Sequence, residues 1–168
     1  MKRTLVTLVV AAVLLTALPL AAATGTWTAV ASTGVLDESA AGIYAAGSDD
    51  LGYASSASGS SLAPIVARYN VTNTYGVADI PPWTKLELTY LVTNANSAVS
   101  ATVFEVDPCT GSQAPLCTVT STAMAAPNCK QCVLAHAMDF LNKLYYVQVT
   151  ITRNDVTLLP LALTLRIF

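Results

Sequence analysis

The feature that most constrains the fold is an alternation of apolar and polar side chains near the carboxyl terminus. The positions on one side are Tyr145, Val147, Val149 and Ile151, and those between them are Tyr146, Gln148, Thr150 and Thr152. Successive side chains of a β-strand point to opposite faces of the sheet, whereas a helix repeats every 3.6 residues. The alternation therefore predicts a strand with one buried face and one solvated face.

The same alternation recurs earlier in the chain. One predicted inward face comprises Leu86, Leu88, Tyr90 and Val92, and another comprises Ile65, Ala67, Tyr69 and Val71. Further strands are predicted at 27–32, 99–106 and 117–122, with a weaker one at 41–46. Gly, Ser, Ala and Asp dominate 47–61, and this composition predicts a long loop.

The last strand is predicted from a second alternating segment. Its apolar positions are Leu161, Leu163, Leu165 and Ile167. Because Asn and Asp favour turns, a turn is expected at 153–155, and the two final strands are expected to pair as a hairpin. Pro160 would mark an edge or a bulge. Only 133–141 has helical spacing after the amino-terminal region, and it predicts a short helix or a loop.

These elements predict an all-β fold. Short strands separated by polar turns are typical of an antiparallel β-sandwich, of Ig-like or jelly-roll type, with about seven to nine strands. A small outer-membrane β-barrel is the alternative, because such barrels often end on an aromatic residue and this chain ends at Phe168.

Residues 1–23 have the order of an export signal. Lys2 and Arg3 precede an apolar run, which is followed by Pro19 and three alanines. This pattern predicts cleavage before Thr24, leaving 24–168 as a single sandwich domain that is secreted, periplasmic or held at the cell surface. The alternative is an uncleaved anchor, since about 19 apolar residues could just span a bilayer. No membrane association is expected after cleavage.

The charge balance excludes one class of partner. The whole chain has 8 basic and 10 acidic residues, and removing Lys2 and Arg3 leaves 6 basic against 10 acidic, a formal charge of −4. This is not the electrostatic footprint of a nucleic-acid-binding protein. Charged residues are 11% of the chain, so Ser, Thr and Asn must cover the surface, and a protein or glycan partner is the expected kind.

Four cysteines fall within 24 residues, at Cys109, Cys117, Cys129 and Cys132. In an exported chain they predict disulfide bonds. Three pairings are possible, and the sequence favours the local one, Cys109 with Cys117 and Cys129 with Cys132. A zinc or iron site is not expected, because only one C-x-x-C pair is present.

The C-x-x-C pair Cys129-Lys130-Gln131-Cys132 also suggests a thiol–disulfide enzyme. In such enzymes the first thiol begins a helix, which lowers the thiol pKa. The chain lacks the preceding buried strand of that framework, so a structural disulfide is the favoured interpretation.

Other chemistry-bearing residues are scattered. His136 is the only histidine and lies between alanines, which favours a structural role. The loop carboxylates could in principle form a calcium cage, although turn residues are the simpler interpretation; they are Asp37, Glu38, Asp49, Asp50, Asp79 and Asp107. No cofactor or metal is predicted.

Aromatic residues near strand ends suggest a platform for a sugar or a protein. They are Trp27, Trp83, Tyr44, Tyr53 and Tyr75. Asn70-Val71-Thr72 matches the N-glycosylation pattern. The sequence thus predicts an exported, non-enzymatic sandwich with a surface, structural or ligand-binding role, and the alternatives are a periplasmic thiol–disulfide enzyme and the small outer-membrane barrel.

Overall fold

The computed structural model of the protein describes residues 25–54, 61–76 and 79–168. The predicted export signal lies outside these residues. The described strands are β1 (Trp27–Val30), β2 (Val35–Leu36), β3 (Tyr44–Ala46), β4 (Leu51–Tyr53), β5 (Ile65–Val71), β6 (Lys85–Leu91), β7 (Ser97–Val106), β8 (Gln113–Thr120), β9 (Asn128–Val133), β10 (Leu144–Arg153) and β11 (Leu161–Ile167). Two short 3-10 helices, Ala31–Thr33 and Glu38–Ala40, flank β2. Neither meets the length and hydropathy that a membrane-spanning helix requires, and the same holds for the rest of the described chain.

The strands form two antiparallel sheets. The six-stranded sheet has the order β3-β4-β11-β6-β9. β1 pairs with the same edge of β11 as β4 does, but nearer the carboxyl end of that strand. The five-stranded sheet has the order β2-β5-β10-β7-β8. Because the strands divide between two sheets that bury a common core, the architecture is the predicted antiparallel β-sandwich.

The pairing pattern identifies the jelly-roll form of the sandwich. β4 pairs with β11, β5 with β10, β6 with β9, and β7 with β8. These pairs are those of one long hairpin, with β7 and β8 at its tip, rolled so that successive pairs alternate between the sheets. This connectivity is that of a jelly roll.

The core lies between the inner faces of the sheets, at the positions that alternation predicts. The predicted inward residues of β5, β6 and β10 are all buried: Ile65, Ala67, Tyr69, Val71, Leu86, Leu88, Tyr90, Tyr145, Val147, Val149 and Ile151, together with Val92 just after β6. Full burial of one large aliphatic side chain stabilises a fold by about 1.5–3 kcal/mol. The inner faces are therefore a major source of the stability of the sandwich.

The predicted carboxyl-terminal hairpin is wrong. β10 pairs with β5 and β7, whereas β11 pairs with β1, β4 and β6 in the other sheet. Both strands have one apolar face, and that periodicity reports burial but not the partner strand. A register shift between Ala162 and Thr164 also changes which side chains face inward, so that Ala162 is buried while Leu161 and Leu163 are partly exposed.

Arg153 lies where the chain leaves the five-stranded sheet and crosses to the six-stranded sheet. It is the last residue of β10 and is buried, not part of a surface turn as predicted. Its guanidinium donates hydrogen bonds to the backbone carbonyls of Ser61, Val156 and Leu158. It also lies 3.9 Å from the ring centroid of Tyr53. This network fixes the start of the crossover segment against the loop before β5.

Two other predictions concern short segments of the chain. The predicted loop at 47–61 contains β4, a three-residue strand too short to produce a visible alternation. Of the short helix or loop predicted at 133–141, the structure has the loop, because Val133 ends β9 and the following residues are irregular. Leu134 and Met138 are nevertheless buried, so this segment packs on the core as a loop.

Candidate binding face

The outer surface of the five-stranded sheet carries the residues that alternate with its core positions. We call it the aromatic face, and define it by Arg68 and Asn70 on β5, Tyr146 and Gln148 on β10, Thr102, Phe104 and Val106 on β7, and Gln113, Pro115 and Thr118 on β8. Six of these ten residues are Arg, Asn, Gln or Thr, as expected for a solvated sheet surface.

The aromatic pair of this face is Phe104 and Tyr146. They lie directly opposite each other on β7 and β10, with ring centroids 5.0 Å apart and an interplanar angle of 16°. Both side chains are partly exposed. The Tyr146 hydroxyl donates a hydrogen bond of 2.6 Å to Gln113 Oε1, which fixes the tilt of the ring. Since Phe104 covers the Tyr146 ring on the β7 side, the other ring face is turned towards β5.

Apolar side chains extend the aromatic pair towards one end of the sheet. Leu144 is 59% exposed and lies opposite Val106, and Pro115 lies opposite Phe104. Single apolar side chains are common on protein surfaces, whereas contiguous apolar side chains often mark an interaction site. The aromatic face thus has an apolar end.

A polar row crosses the sheet beside the aromatic pair. Arg68, Gln148, Thr102 and Thr118 lie opposite one another on four neighbouring strands. Arg68 Nε donates to Gln148 Oε1 at 3.3 Å, and the two threonine hydroxyls are 2.9 Å apart. The row presents amide, hydroxyl and guanidinium groups next to the rings.

A carboxylate borders this row. Asp37 lies 3.8 Å from Arg68, as a loose exposed ion pair. The backbone N–H and then the hydroxyl of Ser39 donate to Asp37, and these hydrogen bonds, with a smaller effect of Arg68, lower the pKa of the Asp37 carboxyl. The carboxylate is therefore held in its charged form by its own turn.

The outer surface of the six-stranded sheet carries charged and polar side chains that pair with one another. We call it the charged face, and define it by Thr28 on β1, Arg166 on β11, Glu87 on β6 and Gln131 on β9, which lie opposite one another in that order. Glu87 accepts from Arg166 at 3.1 Å and from Gln131 at 2.7 Å. A groove of about 580 Å³ follows β1 and β11 on this face. Its charged groups already bind one another.

The single histidine lies at one end of the sandwich. His136 Nε2 is 3.6 Å from a carboxylate oxygen of Glu105, and its Nδ1 is 2.9 Å from the carbonyl oxygen of Ala137. The Tyr145 hydroxyl donates to the same carboxylate and accepts from the backbone N–H of Asp139. Burial raises the pKa of Tyr145 to about 12. These contacts tie the loop after β9 to β7 and β10.

The cysteine pairing differs from the favoured prediction. Cys117 on β8 is bonded to Cys132 on β9, with the Cα atoms 5.9 Å apart, while Cys109 and Cys129 are free and exposed. The local pairing is wrong because Cys129 and Cys132 are three residues apart on a strand and so point to opposite faces. The bond instead joins edge strands of the two sheets.

The same geometry removes the thiol–disulfide enzyme alternative. A redox C-x-x-C needs two sulfur atoms that can bond to each other, with the first at a helix N-terminus. Here Cys129 and Cys132 lie in a strand, and Cys132 is already bonded to Cys117.

The loop carboxylates lie in separate turns. Asp37 accepts from Ser39, Asp50 accepts from the N–H of Gly47, and Asp107 accepts from Cys109 and pairs with Lys143 at 2.9 Å. Across residues 25–54, 61–76 and 79–168, no group of three or more His, Cys, Asp or Glu side chains could hold a metal ion. These carboxylates cap turns.

The predicted aromatic platform is mostly core. Trp27, Trp83 and Tyr53 are buried, while Tyr44 is 38% exposed and Tyr75 is partly exposed. The pair that forms a platform, Phe104 and Tyr146, was missed. A signal was present in the sequence, because both aromatic residues occupy polar-side positions of their strands.

Comparison with known proteins supports the fold. No protein-family model matches the sequence, and no curated protein matches it. A carbohydrate-binding module, CBM36, in complex with calcium and xylotriose is similar in structure, with a TM-score of 0.50 and 12% identity over 84% of this chain and 99% of that one. Isomalto-dextranase of Arthrobacter globiformis T6, complexed with panose, gives a TM-score of 0.51 and 12% identity. The match covers 86% of this chain but 23% of that enzyme.

Proposed function

We propose that the protein is an exported, non-enzymatic module that binds glycans on the aromatic face. The observation that carries the proposal is the partly exposed Tyr146 ring, stacked on Phe104 and lying beside a row of amide and hydroxyl groups. A pyranose ring has an apolar C–H surface and a rim of hydroxyls. An aromatic ring accommodates the first, and flanking polar side chains accommodate the second.

The aromatic ring is held in place before any ligand arrives. Phe104 supports one side of Tyr146, and Gln113 fixes its hydroxyl. Ordering a flexible side chain costs about 0.5–1.5 kcal/mol on binding, and a fixed ring avoids this cost. The arrangement therefore favours ligand binding as the reason why these aromatic side chains are exposed.

The structural neighbours support the choice of ligand class. Two proteins of similar fold, the CBM36 module and the isomalto-dextranase, are bound to xylotriose and panose, both of which are oligosaccharides. Calcium, named for the CBM36 complex, is not part of this proposal, because the carboxylates here lie in separate turns. Binding is expected to persist in a chelator.

A binding role fits the aromatic face better than glycoside hydrolysis. Most glycosidases place two carboxyl groups on either side of the scissile bond. None of the ten residues that define the aromatic face is acidic, and Asp37, which borders its polar row, is paired with Arg68. Export follows from the predicted signal at 1–23 and agrees with the Cys117–Cys132 disulfide.

Affinity electrophoresis of the unglycosylated protein tests the proposal. Gels would contain xylan, dextran, a mixed-linkage β-glucan, chitosan or no polysaccharide, and calorimetry would follow on the matching oligosaccharide. We expect retardation by at least one polymer and an affinity at least tenfold lower for Tyr146→Ala.

Tyr44→Ala is the matched control, because Tyr44 is an exposed tyrosine on β3 of the other sheet. It should bind like the unsubstituted protein. The proposal fails if no polymer retards the protein, or if both tyrosine variants lose affinity equally.

A further inference from the structure

The sequence contains one N-x-Thr glycosylation pattern, Asn70-Val71-Thr72, and the structure places it on the aromatic face. Val71 points into the core, while Asn70 and Thr72 are exposed. The acceptor amide and the hydroxyl that a glycosyl transferase must reach therefore point outwards together. Within the part of the chain that the structure describes, no hydrogen bond engages the Asn70 carboxamide.

The position of Asn70 relative to the aromatic pair is specific. Asn70 lies directly opposite Tyr146 on the neighbouring strand. Side chains directly opposite on paired strands have Cβ atoms about 4.5–5.5 Å apart. The ring face of Tyr146 that Phe104 leaves uncovered is the one turned towards β5, the strand that carries Asn70.

We propose that Asn70 carries an N-linked glycan whose first sugar lies on the open face of the Tyr146 ring, so that the modified protein covers its own binding face. The second half of this inference, the loss of binding, rests on the proposed function. The first half, the modification and the sugar–ring contact, does not.

The co-reactant is a lipid-diphosphate-linked oligosaccharide supplied during export. A bond forms between Asn70 Nδ2 and the anomeric carbon of the reducing-end sugar. The bond from that carbon to the diphosphate oxygen breaks, and the lipid diphosphate leaves with the electron pair. The amide loses one proton to a base, so no oxidant or reductant is needed. Thr72 supplies the hydroxyl of the acceptor pattern.

Expression with and without N-glycosylation tests the inference. The unsubstituted protein, Thr72→Ser and Thr72→Ala would be secreted from a host that glycosylates Asn-x-Ser/Thr, and intact mass would be measured. We expect an oligosaccharide mass on the unsubstituted protein and on Thr72→Ser, and none on Thr72→Ala. Absence of added mass on the unsubstituted protein overturns the inference.

A double-mutant cycle tests the sugar–ring contact. Melting temperatures would be compared for glycosylated protein and Thr72→Ala, each with Tyr146 present or replaced by Ala. We expect glycosylation to raise Tm by about 2–4 °C with Tyr146 and by less than half of that with Tyr146→Ala. Equal shifts in the two backgrounds would place the sugar elsewhere and overturn the contact.

Binding separates this inference from the proposed function. Glycosylated protein should bind the retarding polysaccharide at least tenfold more weakly than Thr72→Ala, and equal binding would overturn the covering of the face. If unglycosylated protein binds no polysaccharide, the proposed function fails, while the mass and Tm measurements still test the modification and its contact with Tyr146.

Discussion

The two outer faces of the sandwich have the same strand geometry but carry different side chains. On the charged face, Glu87 accepts hydrogen bonds from both Arg166 and Gln131, so the row of polar groups binds within itself. On the aromatic face, Phe104 stacks on one side of the Tyr146 ring, and the Tyr146 side chain stays partly exposed. The charged groups of the charged face bind one another, whereas the proposed function gives the aromatic face a ligand.

The two faces also differ in the groove that they carry. The charged face has a groove of about 580 Å³, whereas the proposed role of the aromatic face rests on its side chains. A ligand on the charged face would have to compete with an existing ion pair. A sugar on the Tyr146 ring would displace water from an apolar surface, and its hydroxyls would exchange with the Arg68–Gln148 and Thr102–Thr118 hydrogen bonds of the polar row. Substitutions should therefore affect stability on one face and binding on the other.

The largest expected effect comes from the bond that holds both faces in place. Replacing Cys117 and Cys132 together by Ser should lower the free energy of unfolding by about 3 kcal/mol, because the bond closes a 15-residue separation. Denaturant unfolding measures this loss, and glycan affinity below the transition should be unchanged. Cys109→Ser is the control and should be neutral; an equal loss there would contradict the Cys117–Cys132 pairing.

The second effect concerns the support of Tyr146. Phe104→Ala removes the ring that stacks on Tyr146 and should weaken glycan affinity about two- to tenfold, since aromatic pairs contribute about 0.5–1.5 kcal/mol. Calorimetry would measure it. Phe168→Ala, which removes the ring beneath Arg166 near the charged face, is the control. If Phe168→Ala weakens glycan binding and Phe104→Ala does not, the glycan binds near the charged face and not on the aromatic face.

The third effect tests the charged face. Glu87→Gln removes the charge partner of Arg166 and should lower the free energy of unfolding by about 0.5–1 kcal/mol without altering glycan affinity. Chemical denaturation and affinity electrophoresis measure the two quantities. Glu38→Gln, at an exposed glutamate, should change neither. Loss of affinity in Glu87→Gln would argue for ligand binding on the charged face.

The smallest effect is a dependence on pH at the border of the aromatic face. Hydrogen bonds from Ser39 lower the pKa of Asp37 below its usual 3.8, so its contribution is present above pH 3.8 and is lost only as the pH falls through the lowered value. Glycan affinity should therefore be constant from pH 8 to about pH 4 as far as Asp37 is concerned. A decline over that range that Asp37→Asn abolishes would contradict this assignment.

Much of the fold could be predicted because alternation reports burial directly. The inward faces of β5, β6 and β10 were identified residue by residue from the sequence. Strand partners could not be identified in the same way. The expected hairpin between β10 and β11 failed because an apolar face is the same whether its neighbour lies in one sheet or the other.

The candidate site was harder to predict, for related reasons. Spacing along the chain favoured a bond between Cys129 and Cys132, but a strand turns those side chains apart, and β9 was not recognised as a strand. Loop aromatics such as Trp83 proved to be core, since a rolled sheet buries its strand ends. The Phe104–Tyr146 pair depends on the register of two strands, which a single sequence does not reveal.

A titration followed by amide chemical shifts tests the assignment of the binding face most directly. Uniformly ¹⁵N-labelled, unglycosylated protein would be titrated with the oligosaccharide that binds most tightly in the electrophoresis screen. We predict that the largest shifts cluster on β5, β7 and β10 around Tyr146, with the Tyr146→Ala variant losing them. Shifts that cluster instead on β1, β6 and β11 around Glu87 would contradict the central claim that the aromatic face is the glycan-binding surface.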